Sequence, residues 1–224
     1  LYWYDNGQRK AEGYFKLVYQ DAILAPLRDS VYKEWYPNGN MKVKGEYYYN
    51  VQNNEWKWWF PEGDVWKVVD YAQGLAYPQE GWNMDGEQTL SEGNGILYDY
   101  YESGRLRSKL SVKYDQFYGL STYYYENGNI ESEGDTYVTD RTGLWKFNYE
   151  DGSRWKHIEY KEGKLDGVIR TWYPTGAISV EGRHAKGKKN GPWTWYNSSG
   201  QVYMRGAFKD DMQHGTWTYY FENG

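Results

Sequence analysis

The sequence predicts an all-β protein: an elongated antiparallel β-meander of tandem hairpins, 24 residues to the repeat, in an open single-layer twisted sheet. Three observations carry this. The 224 residues include 13 Trp, 27 Tyr and 26 Gly but few aliphatics. Such a chain is too aromatic for disorder, and Tyr, Trp, Thr and Val suit a pleated, half-buried surface. Glycine returns at fixed intervals, and the segments between glycines alternate with period two.

The repeat is anchored on the glycine that closes "WYDNG", "WYPNG", "WFPEG", "YYENG" and their relatives: Gly7, Gly39, Gly63, Gly86, Gly104, Gly128, Gly152, Gly176, Gly200 and Gly224. Successive spacings are 32, 24, 23 and 18, then 24 five times. A second glycine often stands six residues on, as Gly13, Gly45, Gly134, Gly182 and Gly206. A third stands fifteen on, as Gly119, Gly143, Gly167, Gly191 and Gly215. Two residues later comes Trp56, Trp145, Trp193 or Trp217, with Ser121 and Ile169 as exceptions. Each unit reads as two strands joined by a loop such as "KDDMQHG". The turn "YENG" is expected to be tight, with both central residues at φ > 0, so that a turn glycine closes each end of every hairpin. Glycines at this density exclude long helices.

The whole of 1–224 reads as one continuous array, irregular over 14–35, short or degenerate over 64–104 and regular over 105–224. In the short unit, "GNG" at 93–95 is expected to turn the hairpin directly. "DAILAPLRDS", 21–30, is the most aliphatic stretch and is expected to cover one end of the sheet, with a longer loop as the alternative. The chain opens on "LYWYDNG" and closes on "YYFENG", in one phase of the repeat. Bare sheet edges invite pairing, so further chain or a partner is expected there.

Several functions lose support. The formal charge of −5 argues against nucleic acid. No apolar run reaches the roughly 20 residues of a membrane helix. Without cysteine there are no disulfides or thiolate metal sites. His157, His184 and His214 lack ligand spacing, and no nucleophile elbow or phosphate loop occurs. Glu126, Glu131, Glu133, Asp135, Glu150 and Asp151 read as solvated turn and outward positions. "NSS" at Asn197 reads as a turn although it fits a glycosylation sequon. No catalytic residue, metal or cofactor is expected, and the protein is read as no enzyme.

The candidate site is an aromatic stripe. Alternate residues of each second strand share a face. That face collects Trp56, Trp58 and Phe60; Tyr123 and Tyr125; Trp145, Phe147 and Tyr149; Trp193 and Trp195; and Trp217, Tyr219 and Phe221. The other face receives Lys57, Thr122, Lys146, Arg170, Thr194 and Thr218. The rings' main role is expected to be stacking across strands. A single layer is not expected to bury both sides of such a stripe, and an exposed aromatic row binds something.

"YYENGNIESEGDTYVTDRTGLWKFNYEDG" and "WYPTGAISVEGRHAKGKKNGPWTWYNSSG" resemble the bacterial variant of the MORN repeat, in proteins often labelled YwqK family antitoxin. The resemblance implies hairpin arrays that serve as scaffolds and, under the antitoxin label, neutralisation of a toxin protein. The expected function is therefore a non-enzymatic scaffold that binds another protein through its aromatic face or edge strands. The alternative is a carbohydrate or cell-wall module that stacks sugars on the stripe. A cell-envelope or secreted location is favoured over the cytoplasm.

Overall fold

A computed structural model describes residues 1–20 and 23–221. Every described element is a strand: β1 (Tyr2–Trp3), β2 (Arg9–Gln20), β3 (Ile23–Trp35), β4 (Met41–Tyr48), β5 (Val51–Trp59), β6 (Val65–Ala72), β7 (Leu75–Trp82), β8 (Gln88–Ser91), β9 (Asn94–Tyr100), β10 (Leu106–Lys113), β11 (Gln116–Tyr124), β12 (Ile130–Tyr137), β13 (Asp140–Asn148), β14 (Arg154–Lys161), β15 (Lys164–Trp172), β16 (Ile178–Ala185), β17 (Lys188–Lys189), β18 (Gly191–Tyr196), β19 (Val202–Lys209) and β20 (Met212–Tyr219). They form an open antiparallel sheet in meander order. The chain makes two compact units, Leu1–Tyr98 with Val112–Gln116, and Asp99–Ser111 with Phe117–Gly224.

Two turn types alternate along the meander. At one end, the aromatic residue and the anchor glycine close a four-residue turn. Gly128 N–H donates to Tyr125 C=O at 2.9 Å, and Tyr125 N–H donates to Asn129 C=O at 2.9 Å. The same pair of bonds recurs at Tyr4, Tyr36, Phe60, Asn83, Tyr101, Tyr149, Tyr173 and Asn197. Within each of these turns only the glycine is left-handed, with φ between +80° and +108°. This is a type I turn with a glycine bulge. The expectation of two positive φ values in "YENG" therefore fails there. Two-residue turns with both centres left-handed lie at the opposite end: Tyr49-Asn50, Glu162-Gly163, Lys186-Gly187 and Asp210-Asp211. In the short unit the turn is Glu92-Gly93, and Asn94 and Gly95 already belong to β9.

The other two glycines of the repeat sit inside strands. On β13, Gly143, Leu144 and Trp145 occupy the space opposite the single residue Gly134, between the pairs Glu133–Lys146 and Asp135–Thr142. Gly143 opens this bulge with φ of +65°. Gly206 likewise faces the bulge of Gly215 to Trp217. Where the bulge glycine is missing, Asn54 takes its left-handed conformation (φ +58°), opposite Gly45. The bulge turns the tryptophan ring flat onto the opposing glycine. A Cβ on Gly45, Gly134, Gly182 or Gly206 would lie 2.1–2.5 Å from the indole of Trp56, Trp145, Trp193 or Trp217. These glycines are there for space, not for φ. In the exceptional unit, Ile158 pairs with Ile169, so two medium side chains replace one absent and one large.

"DAILAPLRDS" is neither loop nor cover. From Ile23 onward it is β3, which pairs with β2 from Gln20–Ile23 back to Ala11–Glu34. The eight extra residues of the first repeat lengthen the arms of one hairpin. Asp21 and Ala22 lie outside the described residues, as does Gly224.

In denaturant titration, Gly134→Ala is expected to cost about 1–3 kcal/mol, the usual range for overpacking. In a Trp145→Ile background the same change is expected to cost clearly less. Additive costs would remove the indole as the reason for the glycine.

Candidate functional site

The aromatic stripe forms, and the fold uses most of it. Trp145 is 1% exposed and builds a core with Phe147 and Ile158, against which Tyr123, Tyr160, Leu165 and Ile169 pack. Its lower face rests on Gly134, and the Arg141 guanidinium lies 4.3 Å from its ring centre. The Trp145 indole N–H donates to Asp135 C=O at 2.9 Å, beside the bulge. Trp193 repeats the arrangement on Gly182, with Lys189 at 4.9 Å and an N–H bond to Arg183 C=O at 3.2 Å. Trp56 does so on Gly45, with its N–H on Glu46 C=O at 3.1 Å. A single layer thus buries these three indoles after all, between glycine backbone, neighbouring rings and cations. Stacking continues from Trp56 to Trp58 at 5.8 Å, from Trp145 to Phe147 at 6.1 Å, and from Trp193 through Trp195 to Trp217 at 5.8 and 5.6 Å.

Phe60, Tyr125 and Tyr149 stand at a different position, the first residue of the glycine-bulge turn; Phe221 holds the same place in the sequence repeat, but the residues after it lie outside the described ones. There a tyrosine hydroxyl reaches the next repeat. Tyr125 donates to Asn148 C=O at 2.9 Å, Tyr149 to Trp172 C=O at 2.9 Å, and Tyr173 to Tyr196 C=O at 2.8 Å. Tyr4, Tyr36 and Tyr101 do the same. Phe60 lacks the hydroxyl and is buried instead, stacked on Trp66 at 5.7 Å. Asparagine adds a second link from the same turn. Asn127 Oδ1 accepts from Asn129 N–H at 2.9 Å, while its Nδ2 donates to Glu150 C=O at 2.7 Å. Asp151, in the equivalent place, makes only the first kind of bond, because a carboxylate has no proton to donate. Bonds from Ser153 hold its carboxyl below the usual carboxylate range. Of the stripe, Tyr219 and Phe221 are the exposed members, Phe221 at 86%.

The opposite face carries what sequence reading missed. Leu120, Leu144 and Val168 each follow the third glycine of the repeat, left-handed at Gly119, Gly143 and Gly167, and are 52%, 47% and 44% exposed. The same place is taken by Pro192, also exposed. They recur every 24 residues, two strands apart, or about 9.6 Å. Asp135 stands opposite Leu120, Glu159 opposite Leu144 and Arg183 opposite Val168. The sequence signal was the Gly-aliphatic pair before each tryptophan position. Next to this row runs a polar one, Glu133–Lys146–His157–Arg170–Glu181–Thr194–Arg205–Thr218, each residue opposite the next. It contains ion pairs, Lys146–Glu133 at 2.9 Å and Arg170–Glu181 at 2.5 Å.

Two histidines are held towards neutrality. Burial lowers His157, with Lys146, Arg154 and Arg170 adding to the effect. Its ring lies 4.6 Å from that of Trp172. Burial also lowers His184, helped by Lys189 and opposed by Asp211. The ring of His184 meets Trp193 edge-on at 5.2 Å.

The family model described as the MORN repeat variant matches residues 28–47, 117–138, 141–162, 189–210 and 213–224. No curated protein matches the chain.

Tyr149→Phe removes one hydroxyl and leaves the ring in place. It is expected to cost about 0.5–1.5 kcal/mol in denaturant titration; no loss would mean the inter-repeat bond is idle. The depressed histidines fix a sign for pH. As pH falls through the unfolded value near 6.5, the unfolded chain takes up protons first. Stability is therefore complete above that range and declines below it. The fall in unfolding midpoint between about pH 7.5 and 5.5 is expected to be smaller in His157→Gln/His184→Gln. An equal fall would assign it to carboxylates instead.

Proposed function

We propose a non-enzymatic scaffold that binds another protein, with no chemistry of its own, a reading supported by the segments that match the MORN repeat variant. The observation that carries this is the division of labour between faces. The indoles of Trp56, Trp145 and Trp193 are spent on the fold, while Leu120, Leu144 and Val168 stand exposed on the opposite face at one repeat's pitch. Exposed aliphatics in a regular row, flanked by charged residues, suit a protein partner. A toxin held in this way is the antitoxin form of the same reading. The carbohydrate alternative gains nothing from the interior tryptophans. Trp56, Trp145 and Trp193 are buried and offer no free ring face to a sugar.

The test is affinity capture from the source cells with the wild-type chain and with Leu120→Lys/Leu144→Lys/Val168→Lys. Direct titration of the purified partner follows. A single protein is expected to bind the wild type and to lose at least tenfold in affinity to the variant, whose melting temperature stays near wild type because the three side chains face water. Equal capture by both chains, or capture of glycan without protein, would overturn the reading.

A further inference from the structure

The outer face of β3, β4 and β5 sets three lysines abreast. Lys33 stands opposite Lys44, and Lys44 opposite Lys57. Neighbouring strands are about 4.8 Å apart, so three positive side chains rise from a line of about 10 Å. Like charges placed directly opposite each other destabilise a sheet. The carboxylates nearby do not relieve this row. Glu12 stands opposite Lys33 but is engaged by Arg9 at 2.8 Å. Glu46 accepts from Asn54 Nδ2 at 2.7 Å. Beyond Lys57 the row ends on Val68. Among the described residues, none of the three lysines has an ion-pair partner. Lys57 lies against the Trp59 ring at 5.6 Å, and Lys44 is exposed. The second unit shows that the fold does not require such a row. There, the cross-strand row through Lys146 and Arg170 sets Glu133 and Glu181 opposite these cations and closes ion pairs.

Resting on the scaffold reading, we propose that this face docks an acidic amphipathic α-helix of a partner protein, its carboxylates meeting Lys33, Lys44 and Lys57. The spacing selects the helix. Carboxylates at i, i+3 or i+4, and i+7 on one helix face are about 5–6 Å and 10.5 Å apart, which matches the lysines. An extended strand places same-face residues about 6.8 Å apart, and three of them overrun the row. A membrane surface fits less well. Glu46 and Glu55 rise beside the lysines; they would oppose a broad anionic plane but leave a lane for a narrow rod. The exposed Tyr48, two residues beyond Glu46 on β4, borders that lane with an apolar ring.

The experiment titrates the protein with a synthetic amphipathic helix bearing Glu at i, i+4 and i+7. The comparisons are a proline-broken peptide of the same composition and vesicles of phosphatidylcholine with phosphatidylserine. Protein variants are Lys44→Glu and Lys33→Glu/Lys44→Glu/Lys57→Glu. The helix is expected to bind the wild type, to weaken with salt, to lose about tenfold in affinity on Lys44→Glu, and to leave the triple variant unbound. Lys44→Glu, which removes a repulsion, is expected to raise the melting temperature, a gain that misfolding cannot mimic. Equal binding of the helical and broken peptides overturns the proposal, as does equal loss of vesicle binding on the same substitutions. So does a lower melting temperature for Lys44→Glu. The Leu120→Lys/Leu144→Lys/Val168→Lys chain serves as control. If it keeps the helix while losing the captured partner, both readings stand. If no helix binds but capture through the leucine row persists, this inference falls and the scaffold reading survives.

Discussion

Each repeat that carries the tryptophan depends on one contact: an indole lying flat on a glycine across a β-bulge. A single sheet has no second layer to hide its apolar face. Its buried area must come from side chains folded down onto its own backbone. Only glycine leaves room for this, and only a bulge aims the tryptophan at it. Burying a large ring supplies several kcal/mol. The bulge interrupts the strand ladder, and the indole N–H of Trp56, Trp145 and Trp193 bonds the carbonyl of the residue after the glycine. One residue therefore supplies the core and repairs the backbone. Where the tryptophan is replaced by Ile169, its glycine is replaced by Ile158, and the volume is kept.

The second constraint lies along the edge where the turns stack. Successive turns are tied by a tyrosine hydroxyl and, where present, an asparagine amide, each reaching a carbonyl of the following repeat. Neither alternative does both jobs. Phenylalanine keeps the ring and loses the tie; aspartate keeps its own turn and loses the tie. The spine is regular from Tyr101 through Tyr125 and Tyr149 to Tyr173, where spacing is uniform. It lapses at Phe60, Asn83 and Asn197, where the turn opens on a residue without the phenol hydroxyl. Uniform spacing is not required for the tie, because Tyr4 makes it to Trp35 across the 32-residue first unit, whose extra residues sit in the far arms of the hairpin.

The period, the all-β meander and the strand alternation were legible because glycine and aromatic spacing are written directly in the chain. The meaning of each glycine was not. Gly128 supplies a left-handed turn residue, Gly143 opens a bulge and Gly134 makes room for a ring, yet all three are one letter. Asn54 shows the difference, because it replaces a bulge glycine where no side chain is excluded. The stripe's composition was legible as well, but its exposure was not. Period two assigns a face and says nothing of what covers it, and the cover here includes Arg141 and Lys189, four residues before their tryptophans. "DAILAPLRDS" misled because its aliphatic content suggests a cover for the sheet end, although Pro26 pairs with Leu17 in a two-stranded arm.

This division of roles explains how a constrained repeat can vary its surface. Rows that set the fold all lie on the tryptophan face and at the turns, and their chemistry is fixed by glycine, tryptophan and tyrosine. The opposite face inherits the same register without those demands. Any side chain placed there is repeated across the sheet at one or two strand spacings, so a choice in one unit becomes a line of like groups in space. Lys33, Lys44 and Lys57 are one such line, and Leu120, Leu144 and Val168 another, on the same kind of backbone. The line of lysines is not what stability alone would select, since the fold tolerates ion-paired rows in the same register. Its composition therefore has to be accounted for by what lies outside the sheet.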